Sequence, residues 1–307
     1  MKKETILEKV RAHRISIFRG HLLLMILMLT IALLPLLISS RILTDTLSDY
    51  YLDDLQETVE QGCNELSAAL YRTCAIPASV RDSKYYDDLV MANEGALPQN
   101  HPWMLAQMSA ALSNQVYLAG DSVERLVYFP NSNSICTNRR CFAVAEDCFD
   151  NYLVFSEMEP RELLDRLQDK HSSTLIPAQE IWVDGVPMNA LALVVFPVET
   201  AVPVMAIYRE ETILSYLGID ELPGGSFYRI LDGNGDLILE GGAGEPLPVE
   251  ACHEVKAKVG MLGLSVQLWV PSDYFSQLLQ PAYRVSLILS LVSTVIGILF
   301  CVLFADI

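Results

Sequence analysis

Apolar residues follow three patterns along this chain, and each pattern is typical of a different kind of element. Two long uncharged runs lie near the ends, at Leu22–Ile38 and Val285–Phe304. Apolar steps of three and four follow the first run and indicate helix, whereas alternating patterns typical of strands occupy much of the middle. The chain is therefore predicted to be α+β, with an apolar segment near each end.

The two uncharged runs predict two transmembrane helices, because they would extend for about 25 and 30 Å as helix. The first 20 residues carry six basic and two acidic side chains, a bias that keeps a flank cytoplasmic. We expect a cytoplasmic basic segment (1–20), transmembrane helices at 21–42 and 284–304, a cytoplasmic stub (305–307) and an extracellular part at 43–283 of a multi-pass cell-membrane protein. The alternative for the first run is a cleaved signal peptide.

A long helix is predicted over residues 43–76, because apolar side chains recur there on one face. Pro77 disfavours helix in the residue before it, so the helix should end near Ile76. Such a stripe packs either on the domain behind it or on its twin in a dimer. The stripe consists of Leu43, Leu47, Tyr51, Leu55, Val59, Cys63, Leu66, Leu70 and Cys74.

The rest of the middle segment divides at Pro223–Gly225 into a larger and a smaller lobe, 77–222 and 223–283. In the larger lobe, helices are predicted after Pro102 and Pro160 and over Glu210–Leu217. Strands are predicted at Val123–Phe129, Ser134–Thr137, Thr174–Trp182, Ala190–Val198 and Pro203–Tyr208. The smaller lobe is predicted to hold strands at Ser226–Leu231, Leu237–Glu240 and Leu262–Val270, with short helices at Val249–Lys258 and Ser272–Leu279.

Charge and cysteine content limit the classes of function. Residues 43–283 carry 13 basic and 35 acidic side chains, a net charge near −22, which disfavours direct nucleic-acid binding by this segment. The same segment holds six of the seven cysteines. Cys63 and Cys74 would lie roughly 16 Å apart on one helix, too far for a disulfide. Cys136 and Cys141 flank a short turn and could pair or remain reduced.

No motif of an enzyme or of a metal site emerges from the sequence. Asp232–Asp236 (DGNGD) opens like a calcium loop, but the sixth and twelfth positions are Leu237 and Ala243, so a hairpin turn is predicted instead. His253-Glu254 lacks the second histidine of a zinc-protease helix. We therefore expect no catalytic residues, no metal site and no cofactor.

Aromatic and charged residues on the predicted larger sheet form the candidate ligand-binding set. They are Tyr128, Trp182, Asp184, Tyr208 and Arg125. Small-molecule sites combine aromatic walls with a few charges that orient the ligand. The alternative is that the aromatic residues belong to the core, which is the commoner place for aromatic residues on strands.

Small residues recur along one face of the second apolar run and are candidates for a dimer contact. Small residues on one stripe let two helices approach closely in lipid. The stripe consists of Ser286, Ser290, Ser293, Gly297 and Cys301.

The order of elements resembles the double Cache sensor region of bacterial receptors, in which a long stalk helix leads into two PAS-like lobes. The run Phe227–Leu239 (FYRILDGNGDLIL) is similar to a hairpin common in Cache and PAS-like lobes. The resemblance implies an α+β fold that senses an extracellular small-molecule ligand and transmits signals through a homodimer, as in AraC-type membrane regulators and sensor histidine kinases. The amino-acid-binding signature, a Tyr followed by Arg-x-Trp-Tyr, is not present, so the resemblance does not identify the ligand.

Such receptors carry an effector domain after the second span, whereas this sequence stops at Ile307. We expect either a truncated receptor or one that passes its signal to another protein, in each case the sensing and membrane portion of a signal-transduction receptor. The alternative is a structural membrane protein resembling polysaccharide chain-length regulators, which also end just after a second span. An extracellular enzyme is disfavoured because no catalytic motif is found.

Overall fold

The structure is a computed structural model that describes residues 38, 42, 46–93, 102–114, 122–168, 173–196, 202–245, 247–260, 262–272, 274, 280–281, 284–285, 287–293 and 295–296. The chain divides into two units, one formed by residues 54–271 and the other by residues 1–53 with 272–307. The first unit contains all of the strands in the described part of the chain. The predicted boundary at residue 223 falls inside this unit, and the division into two lobes stays a prediction.

The first unit begins with helical elements. Helix α1 covers residues 46–73, of which 54–73 belong to this unit, and is followed by α2 (Ile76–Arg81), α3 (Tyr86–Met91) and α4 (Pro102–Asn114). The predicted end of α1 near Ile76 is three residues late, because a turn at residues 74–75 separates it from α2. Pro77 lies in the first turn of α2, where its missing N–H costs no helical hydrogen bond.

A seven-stranded antiparallel sheet follows, in the spatial order β3-β2-β1-β7-β6-β5-β4. Its strands are β1 (Glu124–Phe129), β2 (Ser134–Thr137), β3 (Cys141–Phe142), β4 (Leu153–Phe155), β5 (Thr174–Val183), β6 (Val186–Val195) and β7 (Val204–Arg209). Helices α5 (Ala145–Asn151) and α6 (Pro160–Gln168) lie between strands, and α7 (Glu210–Leu217) follows the sheet. The strands predicted for this sheet are all present, with ends that match or are shifted by up to four residues.

The two faces of this sheet are covered by different helices because side chains alternate along each strand. On one face, Leu126 and Tyr128 pack with residues of α5 and α6, and we call it the α6 face. On the other, Val127 and Phe129 pack with residues of α2, α3 and α4, and we call it the α4 face. Each face is a separate hydrophobic core.

The second sheet is four-stranded and antiparallel, in the order β10-β11-β8-β9. It consists of β8 (Phe227–Leu231), β9 (Leu237–Gly242), β10 (Cys252–Lys258) and β11 (Ser265–Pro271). The predicted helix at Val249–Lys258 is wrong: only Val249–Ala251 is a 3₁₀ turn, and Cys252–Lys258 is a strand. Val255 and Ala257 are buried whereas Glu254, Lys256 and Lys258 are exposed, an alternation that fits a strand.

The buried stripe of α1 packs on the unit that contains it. Val59, Cys63, Leu66 and Leu70 are at most 2% exposed, as the steps of four and three predicted. Gln56 donates to the carbonyl of Lys256 on β10 at 2.8 Å. This part of α1 therefore packs on its own domain and not on the same helix of a second copy.

The two transmembrane helices predicted from the sequence are not supported, and this part of the fold prediction is wrong. Among the described residues, no helix is both long enough and apolar enough to cross a membrane. Residues 22–37, most of the first predicted span, lie outside the described residues, as do 286, 294 and 297–304 of the second. The predicted helix Ser272–Leu279 also lies largely outside them.

Candidate functional site

The structure separates the predicted ligand-binding residues between the two faces of the seven-stranded sheet. Tyr128 belongs to the core of the α6 face, where Gln168 donates to its hydroxyl at 3.0 Å. Arg125 and Tyr208 are buried on the α4 face. Tyr128 is 1% exposed, so the structure supports a core role for that residue.

Trp182 and Asp184 lie away from Arg125 and Tyr208. On β6, Trp182 is paired with Pro187 and Tyr208 with Leu191, a separation of four residues or about 13 Å along the strand. Asp184 lies in the exposed β5–β6 turn and pairs with Arg140 at 3.0 Å. Arg125, Trp182 and Tyr208 therefore share one face, but Trp182 lies well away along it, and of the five predicted residues the structure brings only Arg125 and Tyr208 close together.

Arg125 is a buried cation beneath α4. Its side chain is 5% exposed, and its Nη1 donates to the carbonyl of Leu112 at 3.4 Å. This carbonyl lies in the last turn of α4, where carbonyls lack helical partners and the helix dipole favours a positive charge. The Nε atom has no hydrogen-bond partner in the described part of the chain. Burial lowers the pKa of Arg125, yet an arginine remains charged in proteins.

Tyr208 connects this region of the sheet to α1. Its hydroxyl is hydrogen-bonded to the hydroxyl of Thr73, which also donates to the carbonyl of Ala69 at 3.3 Å. Burial raises the pKa of Tyr208 to about 12, while the positive charge of Arg125 opposes this rise. The Tyr208 phenol is therefore neutral near pH 7, and it lies close enough to the Arg125 guanidinium to interact electrostatically with it.

Glu124 is a buried carboxylate that the sequence analysis missed. Its side chain is 0% exposed on the α6 face, and Nε of Arg139 lies 3.4 Å from its Oε2. The hydroxyls of Thr137 and Tyr152 lie close enough to lower its pKa, but neither completes a well-aligned hydrogen bond with it. Burial is the largest influence and raises the pKa of Glu124. The sequence signal was a pair of charged residues, Glu124 and Arg125, inside the otherwise apolar stretch Val123–Phe129.

Replacing Glu124 with Gln is expected to stabilise the protein at about pH 8, by roughly 1 kcal/mol for each unit of pKa elevation that is removed. Because the folded-state pKa is raised, wild-type stability falls as pH rises from the ordinary carboxyl value through the folded value. The gain from Glu124→Gln should therefore shrink as pH falls toward the ordinary value. Thermal unfolding at about pH 5 and pH 8 measures it.

Glu240→Gln is the matched control, because Glu240 is exposed and pairs with Arg229 at 3.2 Å. It should change stability little at either pH. A Glu124→Gln protein that is less stable than wild type at about pH 8 would show that the contact with Arg139 outweighs the cost of burying the carboxylate.

The surface of the first unit has two open grooves that are lined by described residues. One, of about 690 Å³, lies between α1 and strands β10 and β11 and is lined by Glu60, Asn64, Lys256, Ala257, Lys258, Ser265, Val266 and Gln267. Its charged side chains are all exposed, so they can remain hydrated without a ligand. The other, of about 420 Å³, lies beside α4 and is lined by Leu105, Ala106, Ser109, Arg139, Arg140, Cys141 and Ala143. We call this second groove the Cys141 groove.

The remaining sequence hypotheses concern turns and metal sites. The hairpin predicted at Asp232–Asp236 is confirmed: Oδ1 of Asp232 accepts from the backbone N–H groups of Asn234 and Asp236, each at 2.8 Å.

In the described part of the chain, no disulfide joins any of Cys63, Cys74, Cys136, Cys141, Cys148 and Cys252. Among the described residues, no group of three or more His, Cys, Asp or Glu side chains is arranged to hold a metal ion.

The predicted dimer contact falls largely outside the described residues. Ser290 and Ser293 lie one turn apart in the helical stretch 287–293. Ser286, Gly297 and Cys301 lie outside the described residues. The dimer contact stays a prediction.

Solved structures that are similar to this chain are ligand-binding domains of bacterial sensors. The ligand-binding domain of the Pseudomonas fluorescens chemoreceptor CtaA, in complex with L-valine, has a TM-score of 0.44 at 10% identity, covering 75% of this chain and 99% of that one. The extracellular domain of the putative histidine kinase soHK1S-Z6 has a TM-score of 0.46 at 11% identity, covering 76% and 98%. The sensory domain of the Campylobacter jejuni chemoreceptor Tlp3, with isoleucine bound, has a TM-score of 0.44 at 8% identity, covering 76% and 97%.

The chain matches no family profile and no curated protein sequence. At identities of 8–11% and TM-scores of 0.44–0.46, the similar structures transfer neither a ligand nor a function to this chain. The chemistry of its site has to be inferred from its own residues.

Proposed function

We propose that residues 54–271 form the ligand-sensing unit of a bacterial signal-transduction receptor, and that its ligand is a small molecule carrying a carboxylate. The observation that carries this proposal is the buried guanidinium of Arg125. It lies beneath α4, and its Nε has no partner in the described part of the chain. The proposed role is binding and signalling, not catalysis.

A buried arginine with so few partners is costly, because its charge loses hydration and only the charge of Glu124, on the opposite face of the sheet, partly offsets that loss. Arginine carries five N–H donors in a planar fork, and Arg125 uses Nη1 on a neutral carbonyl. In the described part of the chain, no carboxylate forms an ion pair with Arg125. A ligand carboxylate would supply the missing charge through the bidentate contact that arginine favours.

The route from the site to the rest of the unit runs through Tyr208. This residue lies near Arg125 on the same face and is hydrogen-bonded to Thr73 of α1. A ligand anion beside Arg125 would change the electrostatic environment of the Tyr208 hydroxyl and hence its bond to Thr73. Binding would then favour one of two packings of α1 on the sheet, which is a population shift.

The proposal includes three expectations that come from the resemblance to double Cache sensors. The unit is extracellular, it works as a homodimer, and its signal reaches a cytoplasmic transcription regulator or kinase. Sedimentation of the full chain, with and without ligand, measures the dimer. A monomer under both conditions would contradict that part of the proposal alone.

Thermal unfolding of the full chain against a panel of organic acids, amino acids and neutral sugars tests the function. A carboxylate ligand at about 100 times its Kd should stabilise the protein by about 2.7 kcal/mol, which is roughly 5–10 °C for a chain of this size. The matched control for each acid is its primary amide, which keeps the shape and loses the charge. Stabilisation by sugars or amides, equal to that by the acids, would overturn the carboxylate assignment.

A further inference from the structure

Cys136 and Cys141 face each other directly across the β2–β3 hairpin. The next pair toward the turn, Thr137 and Arg140, is joined by a backbone hydrogen bond from the N–H of Thr137 to the carbonyl of Arg140 at 2.7 Å. Because hydrogen-bonded and non-hydrogen-bonded pairs alternate in an antiparallel ladder, the cysteine pair occupies a non-hydrogen-bonded position. Cα atoms at such positions are about 4.5 Å apart, within the range of about 4.4–6.8 Å that a disulfide spans.

Both side chains project toward α4, where they share one acceptor. The thiols of Cys136 and Cys141 donate to the carbonyl of Leu105 at 3.8 and 2.9 Å. Cys136 is 0% exposed, whereas Cys141 is half-buried and lines the Cys141 groove. A solute in this groove would therefore meet the sulfur of Cys141, with the sulfur of Cys136 directly behind it.

The surroundings of Cys141 favour its thiolate. The Cys141 thiolate would accept from Cys136, whose proton then leaves Leu105, and from Ser109, and these hydrogen bonds lower the pKa of Cys141. Burial opposes them, as does the Leu105 carbonyl 2.9 Å from the sulfur, which accepts only from the thiol. Arg139 and Arg140 line the same groove and add positive charge there, which their ion pairs with Glu124 and Asp184 partly offset. Burial raises the pKa of Cys136, and it also raises the pKa of Cys63 to about 11. Burial raises the pKa of Cys148 and Cys74 as well.

We propose that Cys136 and Cys141 are a redox-active dithiol that exchanges with small-molecule disulfides entering the Cys141 groove. In the first step, the Cys141 thiolate attacks one sulfur of the disulfide, forms a mixed disulfide and releases one thiolate. In the second, Cys136 loses its proton and attacks the sulfur of Cys141, which expels the other thiolate. The dithiol is oxidised to one protein disulfide, and the small disulfide is reduced to two thiols.

Oxidation would also change the contacts of α4. Formation of the disulfide removes both hydrogen bonds to Leu105, which lies two turns before Leu112, the residue that accepts from Arg125. The reactivity of the dithiol does not depend on whether Arg125 binds a ligand, so the two proposals stand or fall separately.

Oxidised glutathione, added to the reduced full chain, is the probe. Peptide mapping by mass spectrometry without reductant should find the peptides of Cys136 and Cys141 joined, with the loss of two hydrogens. Cys136→Ser should instead hold one glutathionyl group on Cys141, because the second step is blocked. Cys141→Ser should leave both positions unmodified. Cys74→Ser and Cys252→Ser are matched controls at other half-buried cysteines and should behave like wild type.

Two results would overturn the proposal. One is glutathionylation of Cys74 or Cys252 in wild type at least as fast as reaction at Cys141. The other is a stable mixed disulfide in wild type without the cross-link. If Cys136→Ser does not fold, the rate of iodoacetamide labelling in wild type decides: we expect Cys141 to react about three- to fourfold faster than Cys74 for each unit by which its pKa is lower, since the gain in thiolate is partly offset by weaker nucleophilicity. Equal rates would count against the proposal.

Discussion

Replacing Arg125 with Met is expected to abolish the stabilisation of the full chain by its carboxylate ligand. Truncating one partner of a buried, hydrogen-bonded charge pair costs about 2–5 kcal/mol, which corresponds to an affinity roughly 30-fold to several-thousand-fold weaker. Met has a similar length and no charge, so it removes the recognition and leaves the core filled. The measurement is the thermal shift with the acid that stabilises wild type most.

The unliganded Arg125→Met protein should fold with at least the stability of wild type. The substitution removes a buried charge that has one long hydrogen bond and an unpartnered Nε in the described part of the chain. Arg166→Met is the matched control, because Arg166 is partly exposed on α6 and pairs with Glu162 at 3.3 Å. It should leave the ligand response unchanged.

Two results for Arg125 would count against the ligand site. An unchanged thermal shift in Arg125→Met would place recognition elsewhere. A large loss of stability without ligand, repaired by Arg125→Lys, would show that the residue serves to cap α4 through the carbonyl of Leu112. Under the proposal, Arg125→Lys keeps the charge, loses the planar fork and should retain only part of the affinity.

The elements that the sequence predicted well are those whose pattern is local. The stripe of α1 and the helix Glu210–Leu217 follow from spacing, and the DGNGD turn follows from the preference of Asn-Gly for hairpins. Strands β3 and β4 and helix α5 were not predicted. Each strand is only two or three residues long, and pairing with a neighbouring strand decides its conformation.

The sequence alone could predict part of the candidate site, namely which residues of one strand face opposite sides of the sheet. Side chains alternate along a strand, so Arg125 and Tyr128, three residues apart on β1, must face opposite sides of the sheet. That parity alone separates them, whereas the pairing of Arg125 with Tyr208 on one face required the β1–β7 register. The separation of Trp182 from Tyr208 likewise depends on two registers with β6. No local pattern contains that information.

The packing of α1 depends on a residue that a helical pattern treats as unfavourable. Gly62 lies in the interior of the helix, where Gly is less favourable than Ala by about 1 kcal/mol. A Cβ at this position would lie 2.6 Å from the carbonyl oxygen of Tyr216, and 2.7 and 2.8 Å from the Cα and carbonyl carbon of Leu217. These backbone atoms belong to the end of α7 and cannot rotate away. The glycine therefore sets how closely α1 approaches α7.

Gly62→Ala is expected to destabilise the full chain by about 2–4 kcal/mol, in spite of the better helix propensity of Ala, because overpacking against backbone forces the two helices apart. The unfolding midpoint should fall by roughly 4–16 °C. Gly260→Ala is the matched control, since its new Cβ would meet only the Ser67 hydroxyl oxygen at 3.6 Å. A Gly62→Ala midpoint at or above that of wild type would show that α1 lies farther from α7 in solution. Because α1 also carries Thr73, the partner of Tyr208, the same substitution should weaken the link between the sheet and α1.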